Sequence, residues 1–501
     1  MPATNPELTQ APRPRPLPLW VDAASVATER PPPALLLTMT RSSSFFLPEV
    51  STAEFERYLA GLRHLVDQPS PFTAPDTVTA IMDTVHRRMT RSLPNYRHNR
   101  DAAGNLSCVP AEIIASAPIL YLSAHVDTVP ANPSIWTSPF APHPAFEDEH
   151  QLVAQGVNDC KAGVATQLWL AELAAGGALD LQNIVFTFTF KEEGSGPKTG
   201  TALGEAFGSD LPAPTPGSTL LVLENTIRSD APYVPLVYAA ENSSYTIRLT
   251  GSLVALRAAQ LALAQWRPVA ITPIVAPLSE WMWTDHPPQG HVCTAPPEKN
   301  PLLAALLTAD RSTLLSAGDE RSHGTVPSSI GLAPSSTPDA AHRLTLTKRG
   351  NFPLAATLAE LAPHDYTPVK PLAQSVGFDV TGRCASSPVG AAFLAASDTG
   401  AVAFDRNPGA SDATIITSAL TPAYREILLP LVCGPGTRSQ RTAMPPRFTH
   451  GPNETFVKPA GRRALATLLA VLTRAGHLKP APATRRESGS SPTIPPSAHS
   501  A

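Results

Sequence analysis

The sequence shows no excess of either charge. Its 501 residues carry 38 Lys and Arg against 41 Asp and Glu, a formal net charge of −3. Nucleic-acid-binding domains favour a clustered basic surface, so this balance gives no support for a nucleic-acid partner. The length allows two or more domains of roughly 100–200 residues each, and a hydrophobic fraction of 43% can form a sizeable core.

Cysteines are few and long apolar runs are lacking. The five cysteines are odd in number, scattered, and without a C-x-x-C pair, which argues against a disulfide framework and favours a reducing compartment. No apolar run approaches the ~18–20 residues of a membrane helix. The proline-rich start, MPATNPELTQAPRPRPLPLW, has no apolar region typical of a secretory signal. We therefore expect a cytoplasmic protein with no membrane partner.

Proline-rich tails flank a long central part in which strand and helix patterns alternate. The composition predicts a partly disordered segment 1–44, an α/β domain in two parts (45–242 and 384–478), an inserted smaller α+β domain 243–383 and a disordered tail 479–501. Alternating strands and helices predict an α/β fold. We expect a mixed sheet in the two-part domain.

The predicted elements are read from apolar periodicity and capping residues. Strand-like runs precede three short polar patches, and ligands collect beyond the carboxyl ends of strands in such sheets. The predicted helices are 51–66, 161–175, 253–266 and 458–475. The predicted strands are 119–123, 184–190, 219–223, 245–249 and 344–347, while 391–396, 414–418 and 428–433 resume the α/β pattern.

Five patches end in side chains that bind metals. They are His125-Val126-Asp127, Asn158-Asp159-Cys160-Lys161, Glu192-Glu193-Gly194, Glu224-Asn225-Thr226 and His450-Gly451-Pro452-Asn453-Glu454. Two divalent metals about 3.5–4 Å apart can polarise a carbonyl and generate a nucleophile from water. Such a site needs a bridging carboxylate, further ligands for each metal and a carboxylate that moves a proton, and the five patches contain these residue types.

The residue types suggest individual tasks within such a site. His125 offers an imidazole nitrogen, and Asp127 could hold the other ring nitrogen, as carboxylates behind metal ligands commonly do. Asp159 is the best candidate bridge. Because Glu192 and Glu193 are adjacent, one can bind metal while the other remains a base. Glu224 and His450 would complete the ligand set.

Each patch also has an ordinary structural interpretation when it is considered alone. An H-x-D sequence is usually a polar pair in a loop, and Asp159 before Lys161 could be a helix N-cap. Paired glutamates before a glycine are common on solvated loops. Glu224 could be a charge at a strand end and His450 a turn residue. Their order and their placement after strands favour the joint interpretation.

These stretches resemble the M20 family of metallopeptidases, which includes acetylornithine deacetylase, succinyl-diaminopimelate desuccinylase and glutamate carboxypeptidases. The resemblance runs from about residue 50 to 477. The stretches that carry it are AHVDTVP (124–130), W-x-x-x-PF (136–140), GVNDCKAG (156–163), KEEGSG (191–196), LENT (223–226), GASDA (409–413), CGPG (433–436) and HGPNETF (450–456).

The resemblance implies two zinc ions, although cobalt or manganese could occupy the same ligands. It implies that His125 and Glu224 bind one metal, that Glu193 and His450 bind the other, and that Asp159 bridges them. Glu192 would be the general base, taking a proton from water and returning it to the leaving amine. The inserted domain would be a lid, which in many relatives also mediates dimerisation. Residues implied around the substrate are Gly409, Ser411, Asp412, Gly434 and Gly436, with Arg349 as a substrate-carboxylate ligand.

Three differences separate this chain from the family pattern. Asp159-Cys160-Lys161-Ala162 lacks the usual Met and Gly around the lysine, and a buried apolar role fits Cys160 better than a thiolate ligand. Asn225 replaces the usual Pro. The helix pattern after Gly251 lacks the lid histidine that helps to stabilise the oxyanion. His286, His291 and His323 could substitute for it, and each is otherwise an ordinary loop histidine.

The sequence therefore predicts an amide hydrolase that removes the acyl group from an N-acyl amino acid or a similar small molecule. A small-peptide dipeptidase or carboxypeptidase of the same family is the first alternative. A non-catalytic metal- or ligand-binding protein on this scaffold is the second. The retained Glu192 argues against the second, because a site without turnover does not need a base. The partner expected in every case is a small molecule or short peptide, and a homodimer remains open.

Overall fold

The structure is a computed structural model, and its described residues lie mainly in the two-part α/β domain. They are residues 47–193, 198–227, 233–241, 244–251, 291–293, 329–334, 343–349, 366–375, 377–407, 411–438 and 452–480. The predicted tails and the predicted helix 253–266 lie outside them. In the described part of the chain, no helix is both long and apolar enough to cross a membrane.

The described helices end close to where their sequence signals place them. Ser51 caps the first helix in a reciprocal capping box with Glu54, an arrangement that satisfies two otherwise unpaired N–H groups. Two of the resumed segments, 391–396 and 414–418, are helical. The helices are α1 (Thr52–Val66), α2 (Pro75–Ser92), α3 (Ala162–Ala175), α4 (Gly200–Glu205), α5 (Pro388–Asp398), α6 (Asp412–Ala419), α7 (Pro422–Ile427) and α8 (Lys458–Arg474).

The described strands form four sheets, and most are short. The strands are β1 (Tyr96–Arg100), β2 (Leu106–Pro110), β3 (Leu120–His125), β4 (Phe146–Glu147), β5 (Gln151–Val153), β6 (Leu179–Leu181), β7 (Ile184–Thr189), β8 (Thr219–Val222), β9 (Leu236–Glu241), β10 (Ser244–Gly251), β11 (His291–Cys293), β12 (Ser329–Pro334), β13 (Arg343–Arg349), β14 (Tyr366–Ser375), β15 (Phe378–Asp379), β16 (Ala403–Asn407), β17 (Leu429–Val432), β18 (Thr455–Val457) and β19 (Leu478–Pro480).

The largest sheet has nine strands and is mixed, as predicted. Its order is β1-β2-β7-β3-β8-β17-β9-β15, with β16 beside β9. Strands β7, β3, β8 and β17 are parallel neighbours, whereas the pairs β1·β2, β2·β7, β17·β9 and β9·β15 are antiparallel. The carboxyl ends of the four central strands therefore meet at one edge, which is where α/β sheets bind ligands.

Helices cover both faces of this sheet, and its central strands β3, β7, β8 and β17 are buried at every position. In β3, Leu120 and Leu122 belong to a core with α1, α2, α3, α5 and α8, whereas Tyr121 belongs to a second core with α4 and α6. Successive strand side chains point to opposite faces. The continuous apolar run ILYLS thus reflects a strand that is buried on both sides.

A second, wholly antiparallel sheet is built from residues between 244 and 375. Its order is β11-β12-β13-β10-β14. These strands fall within the segment that the sequence predicts as an inserted domain, and β10 and β13 extend the two strands predicted there. The nine-stranded sheet uses strands from both sides of this segment, since β8 pairs with β17.

Candidate metal centre

Three candidate ligand patches lie at the carboxyl edge of the nine-stranded sheet. His125 is the last residue of β3, Glu192 and Glu193 follow β7, and Glu224 follows β8. Strand β3 lies between β7 and β8 and is parallel to both. The apolar strands bury and align the backbone, and polar side chains begin where the strands end.

The His125 ring is buried and fixed at both nitrogens. Its Nε2 lies 2.8 Å from Oδ1 of Asp159, and its Nδ1 lies 2.9 Å from the main-chain oxygen of Asp127. The sequence suggested that the Asp127 carboxylate could hold the second ring nitrogen of His125. Oδ1 of Asp127 lies 3.3 Å from Nδ1, slightly farther than the main-chain oxygen. The close Nδ1 contact is made by the backbone because the Asp127 side chain has other partners.

The Asp127 carboxylate holds the adjacent glutamates by their backbone. Its Oδ1 accepts from the N–H of Glu192 and its Oδ2 from the N–H of Glu193, each at 2.9 Å. A fully buried carboxylate that accepts two N–H groups is well compensated. Asp127 thus sets where the backbone of both glutamates lies relative to His125.

Asp159 lies in a tight turn, Val157–Lys161, immediately before α3. Its backbone angles are not helical (φ −120°, ψ 90°), and α3 begins only at Ala162. The alternative that Asp159 is a simple helix N-cap is therefore not what the structure shows. Its side chain instead contacts His125 and accepts a 3.0 Å hydrogen bond from Nδ2 of Asn225. The Asn225 that departs from the family pattern thus binds the candidate bridge, which a proline could not do.

Glu454 fixes this turn from a distant part of the chain. Its carboxylate accepts hydrogen bonds from the backbone N–H groups of Gly156 (2.9 Å), Asn158 (2.8 Å) and Asp159 (3.1 Å). The sequence expectation included Glu454 in a patch but gave it no task. Its only sequence signal is an acid just before the short apolar strand β18.

The donor atoms of three side chains converge on one place. A ring nitrogen of His125 and carboxylate oxygens of Glu192 and Glu193 lie within 4.8 Å of one another. Asp159 is hydrogen-bonded to the same imidazole. Imidazole and carboxylate donors fit zinc and also manganese or cobalt, so the chemistry of the donor set fits a divalent metal.

The electrostatics place Glu224 in the same cluster. Burial and then the negative charge of Asp159 hold the pKa of the Glu224 carboxyl well above its ordinary value. Burial lowers the pKa of His125, but Cys160 and the hydrogen-bonded carboxyl groups of Asp127 and Asp159 together raise it well above its usual range. Raised pKa values of this kind are expected where negatively charged groups lie close together and a cation would neutralise them.

Gly434 and Gly436 contact the strand ends that carry the acids. A Cβ on Gly434 would lie 2.2 Å from the main-chain oxygen of Glu224, and one on Gly436 would lie 2.7 Å from that of Asn158. The resemblance implied that both glycines shape the substrate pocket. In the structure their missing side chains allow backbones to pack behind Glu224 and the Asp159 turn.

A buried carboxylate that the sequence did not single out lies beside this edge. Glu241, the last residue of β9, accepts from Nδ2 of Asn407 (2.6 Å) and from Oγ (2.8 Å) and N (3.3 Å) of Ser411. Burial raises the pKa of Glu241 to about 7. Ser411 is the N-cap of α6, so Glu241 joins the ends of β9 and β16 to the start of that helix.

Asp412 follows Ser411 as the first residue of α6 and is fully buried. Its Oδ2 accepts from the hydroxyl of Thr189, and its Oδ1 has no hydrogen-bond partner among the described residues. Burial and then the charge of Glu192 raise the pKa of Asp412 to about 7. Asp412 was expected near the substrate, and the structure puts its carboxyl within the electrostatic reach of Glu192.

His450, Gly409, His286 and His323 lie outside the described residues. Arg349 ends β13 and His291 begins β11, but their side chains also lie outside the described part of the structure.

The fold and the donor set define an α/β protein with a candidate site for divalent metal. The family model for Peptidase family M20/M25/M40 matches residues 121–474, well over half of the chain. The chain therefore belongs to this family of peptidases. Among curated proteins, none matches the sequence significantly.

Several solved structures have a similar fold. Human carnosine dipeptidase 1 is 13% identical, with a TM-score of 0.55 over 84% of this chain and 97% of that one. The dipeptidase Dug1p from Saccharomyces cerevisiae is 12% identical, with a TM-score of 0.52 over 85% and 98%. The M20 family metallo-carboxypeptidase Sso-CP2 from Sulfolobus solfataricus is 14% identical, with a TM-score of 0.52 over 83% and 99%.

Proposed function

We propose that the chain is a metal-dependent amide hydrolase that removes the acyl group from N-acyl amino acids or similar small molecules. The observation that carries this proposal is the convergence of His125, Glu192 and Glu193 at one sheet edge, with Asp159 bound to the same imidazole. A structural ion pair needs only one acid and one base, whereas here three side chains that can bind a metal approach one point. Membership of a peptidase family supports hydrolysis of a C–N bond.

In this proposal His125 and Glu224 would hold one metal, Glu193 and His450 would hold the other, and Asp159 would bind both. Zinc is the proposed metal. Two such ions polarise a carbonyl and lower the pKa of water. The remaining tasks fall to side chains that do not bind metal.

Glu192 is proposed to take the proton from water and to return it to the leaving amine. This assignment is supported by its backbone N–H, which Asp127 holds at 2.9 Å, and by its position directly before the proposed ligand Glu193. A general base typically contributes a factor of 10²–10⁴ to the rate. Asp127 acts as a positioning residue, because it keeps both glutamates in register with His125.

The test is turnover by the metal-reconstituted protein on acetyl-, succinyl- and formyl-amino acids and on dipeptides. We expect hydrolysis of N-acyl amino acids, and Glu192→Gln should lower kcat by at least about 10²-fold while metal content is kept. Glu112→Gln, which changes an exposed acid, is the matched control. Faster cleavage of dipeptides would favour a peptidase. Wild-type-like turnover in Glu192→Gln would rule out the proposed base, and bound metal without any turnover would favour the binding protein.

A further inference from the structure

We propose that Lys198 is a substrate-binding residue whose ammonium group receives a carboxylate on the leaving-amine side of the substrate. This inference rests on the proposed function, in which Glu192 delivers a proton to the leaving nitrogen. Three observations carry it: the position of Lys198 beside Glu192, the unused hydrogen-bond donors of its ammonium group, and the negative charge around it.

The backbone returns to the end of β7 and so brings Lys198 next to Glu192. The N–H of Lys191 donates to Oγ1 of Thr199 at 2.8 Å, and the N–H of Thr199 donates back to the oxygen of Lys191 at 3.0 Å. These bonds close residues 191–199 at their base. The Lys198 Nζ consequently lies 3.6 Å from Oε1 of Glu192.

The buried side chain of Asn105 reinforces this closure. Its Oδ1 accepts from the N–H of Phe190 at 3.0 Å, and its Nδ2 donates to the main-chain oxygen of Thr199 at 2.8 Å. The Asn105 side chain therefore bonds to Phe190, where the chain enters this segment, and to Thr199, where the chain leaves it. The proximity of Lys198 to Glu192 is set by backbone bonds as well as by side-chain charge.

The Lys198 ammonium group has hydrogen-bond donors that no described residue uses. It carries three N–H donors, and at 3.6 Å its ion pair with Glu192 exceeds ordinary hydrogen-bond length. Among the described residues it makes no hydrogen bond, although its side chain is only 20% exposed. A half-buried ammonium with three unused donors beside the proposed base can donate to a carboxylate of the substrate in a charge-assisted hydrogen bond.

The surroundings keep this group cationic. Burial lowers the pKa of Lys198, but the charges of Glu192, Glu193, Asp127 and Asp412 raise it above the ordinary value. The negative charge of these neighbouring carboxylates therefore favours the protonated, cationic form of Lys198.

The position matches the chemistry of the leaving side. The leaving nitrogen must approach Glu192 to receive its proton. In an amino acid the carboxyl carbon lies two bonds beyond that nitrogen, roughly 2.5 Å away given the N–Cα and Cα–C lengths. A carboxylate there lies within reach of an ammonium that is 3.6 Å from the Glu192 oxygen, whereas a neutral amide could form no ion pair with it.

The experiment compares each substrate with its primary amide, so that only the carboxylate charge changes. Wild type, Lys198→Met and Lys198→Arg are assayed with N-acetyl amino acids and dipeptides as free acids and as amides. Lys191→Met, which removes one positive charge from the same segment and keeps its backbone bonds, is the control. We expect Lys198→Met to raise KM for the acids about tenfold, to leave kcat within about twofold, and to leave the amides unchanged. Lys198→Arg should retain most of the preference for the acids over the amides.

Equilibrium binding separates this inference from the proposed function. Calorimetric titration with N-acetylglycine and N-acetylglycinamide is performed on the metal-free and zinc-loaded proteins, where binding needs no turnover. For wild type we expect the acid to bind about tenfold more tightly than the amide. For Lys198→Met we expect the acid and the amide to bind equally. Equal affinities in wild type, or a preference that persists in Lys198→Met and disappears in Arg349→Met, would overturn the assignment. A preserved binding preference without hydrolysis would reject the proposed function alone.

Discussion

The side chains at the candidate site divide into those that face a common point and those that hold them there. His125, Glu192 and Glu193 converge, whereas the contacts of Asp127 among the described residues are to nearby backbone and ring atoms. Glu241 belongs to the holding group on the opposite flank, where it joins Asn407 and Ser411. Its burial has a consequence that depends on pH.

Glu241→Gln should change how stability depends on pH. The pKa of Glu241 is about 7 in the folded protein, above its ordinary value of 4.5, so the folded state binds the extra proton between these values. Stability from this group is therefore present below about pH 4.5 and is lost as pH rises through 7. The variant cannot titrate there. Its free energy of unfolding relative to wild type should increase from pH 5 to pH 8 by on the order of 3 kcal/mol.

Urea unfolding at pH 5 and pH 8 measures this difference, with Glu112→Gln as the control. A wild-type-minus-variant difference that stays constant between the two pH values would show that Glu241 does not titrate between pH 4.5 and 7.

At the scale of elements, the turn before α3 depends on a carboxylate almost 300 residues away in sequence. Glu454 accepts from three backbone N–H groups of this turn, and Thr455 accepts from the Asn158 side chain at 2.8 Å. Strand β18 also pairs with β5, just before the turn. The segment 452–457 therefore helps to determine where Asp159 lies.

Glu454→Gln should weaken metal binding while the fold is kept. A glutamine offers one acceptor oxygen in place of two, so at least one N–H group of the turn loses its partner and Asp159 gains freedom. Residues that orient metal ligands typically affect metal affinity by 10–100-fold. Competition with a chromophoric chelator measures the affinity for zinc, and circular dichroism checks the fold. Unchanged affinity in a folded variant would show that the turn is rigid without Glu454.

At the scale of the whole molecule, the sequence predicts the elements that are local in sequence. Apolar runs followed by His125, Glu192 and Glu224 predicted β3, β7 and β8, because a buried strand and a polar end are local signals. The tasks of Glu454 and Lys198 were not predicted. They depend on contacts to Gly156 and Glu192 that only the folded backbone brings near, and a lone acid or lysine has no periodicity to mark it.

Removing metal should lower the thermal stability of the intact protein. Without a cation, burial and then the negative charge of Asp159 raise the pKa of Glu224, and a bound ion would relieve the repulsion between the two carboxyl groups. A ligand at 100 times its Kd stabilises the folded state by about 2.7 kcal/mol. Calorimetry with and without chelator should show a lower Tm after metal removal, and His125→Ala should show a smaller change. An equal change in both proteins would place the stabilising metal elsewhere.

The parallel pairing of β8 with β17 also determines when this molecule can be completed during synthesis. Leu429 pairs with Thr219, 210 positions earlier in sequence, and the turn that carries Asp159 needs Glu454. The entropy of closing a loop over such distances is lost before the contacts form, so topologies of this kind fold slowly. A nascent chain that has reached residue 400 has made His125, Glu192 and Glu224, but it lacks both the strand and the carboxylate that hold them together. The sheet edge can therefore be completed only after β17 and Glu454 have been synthesised.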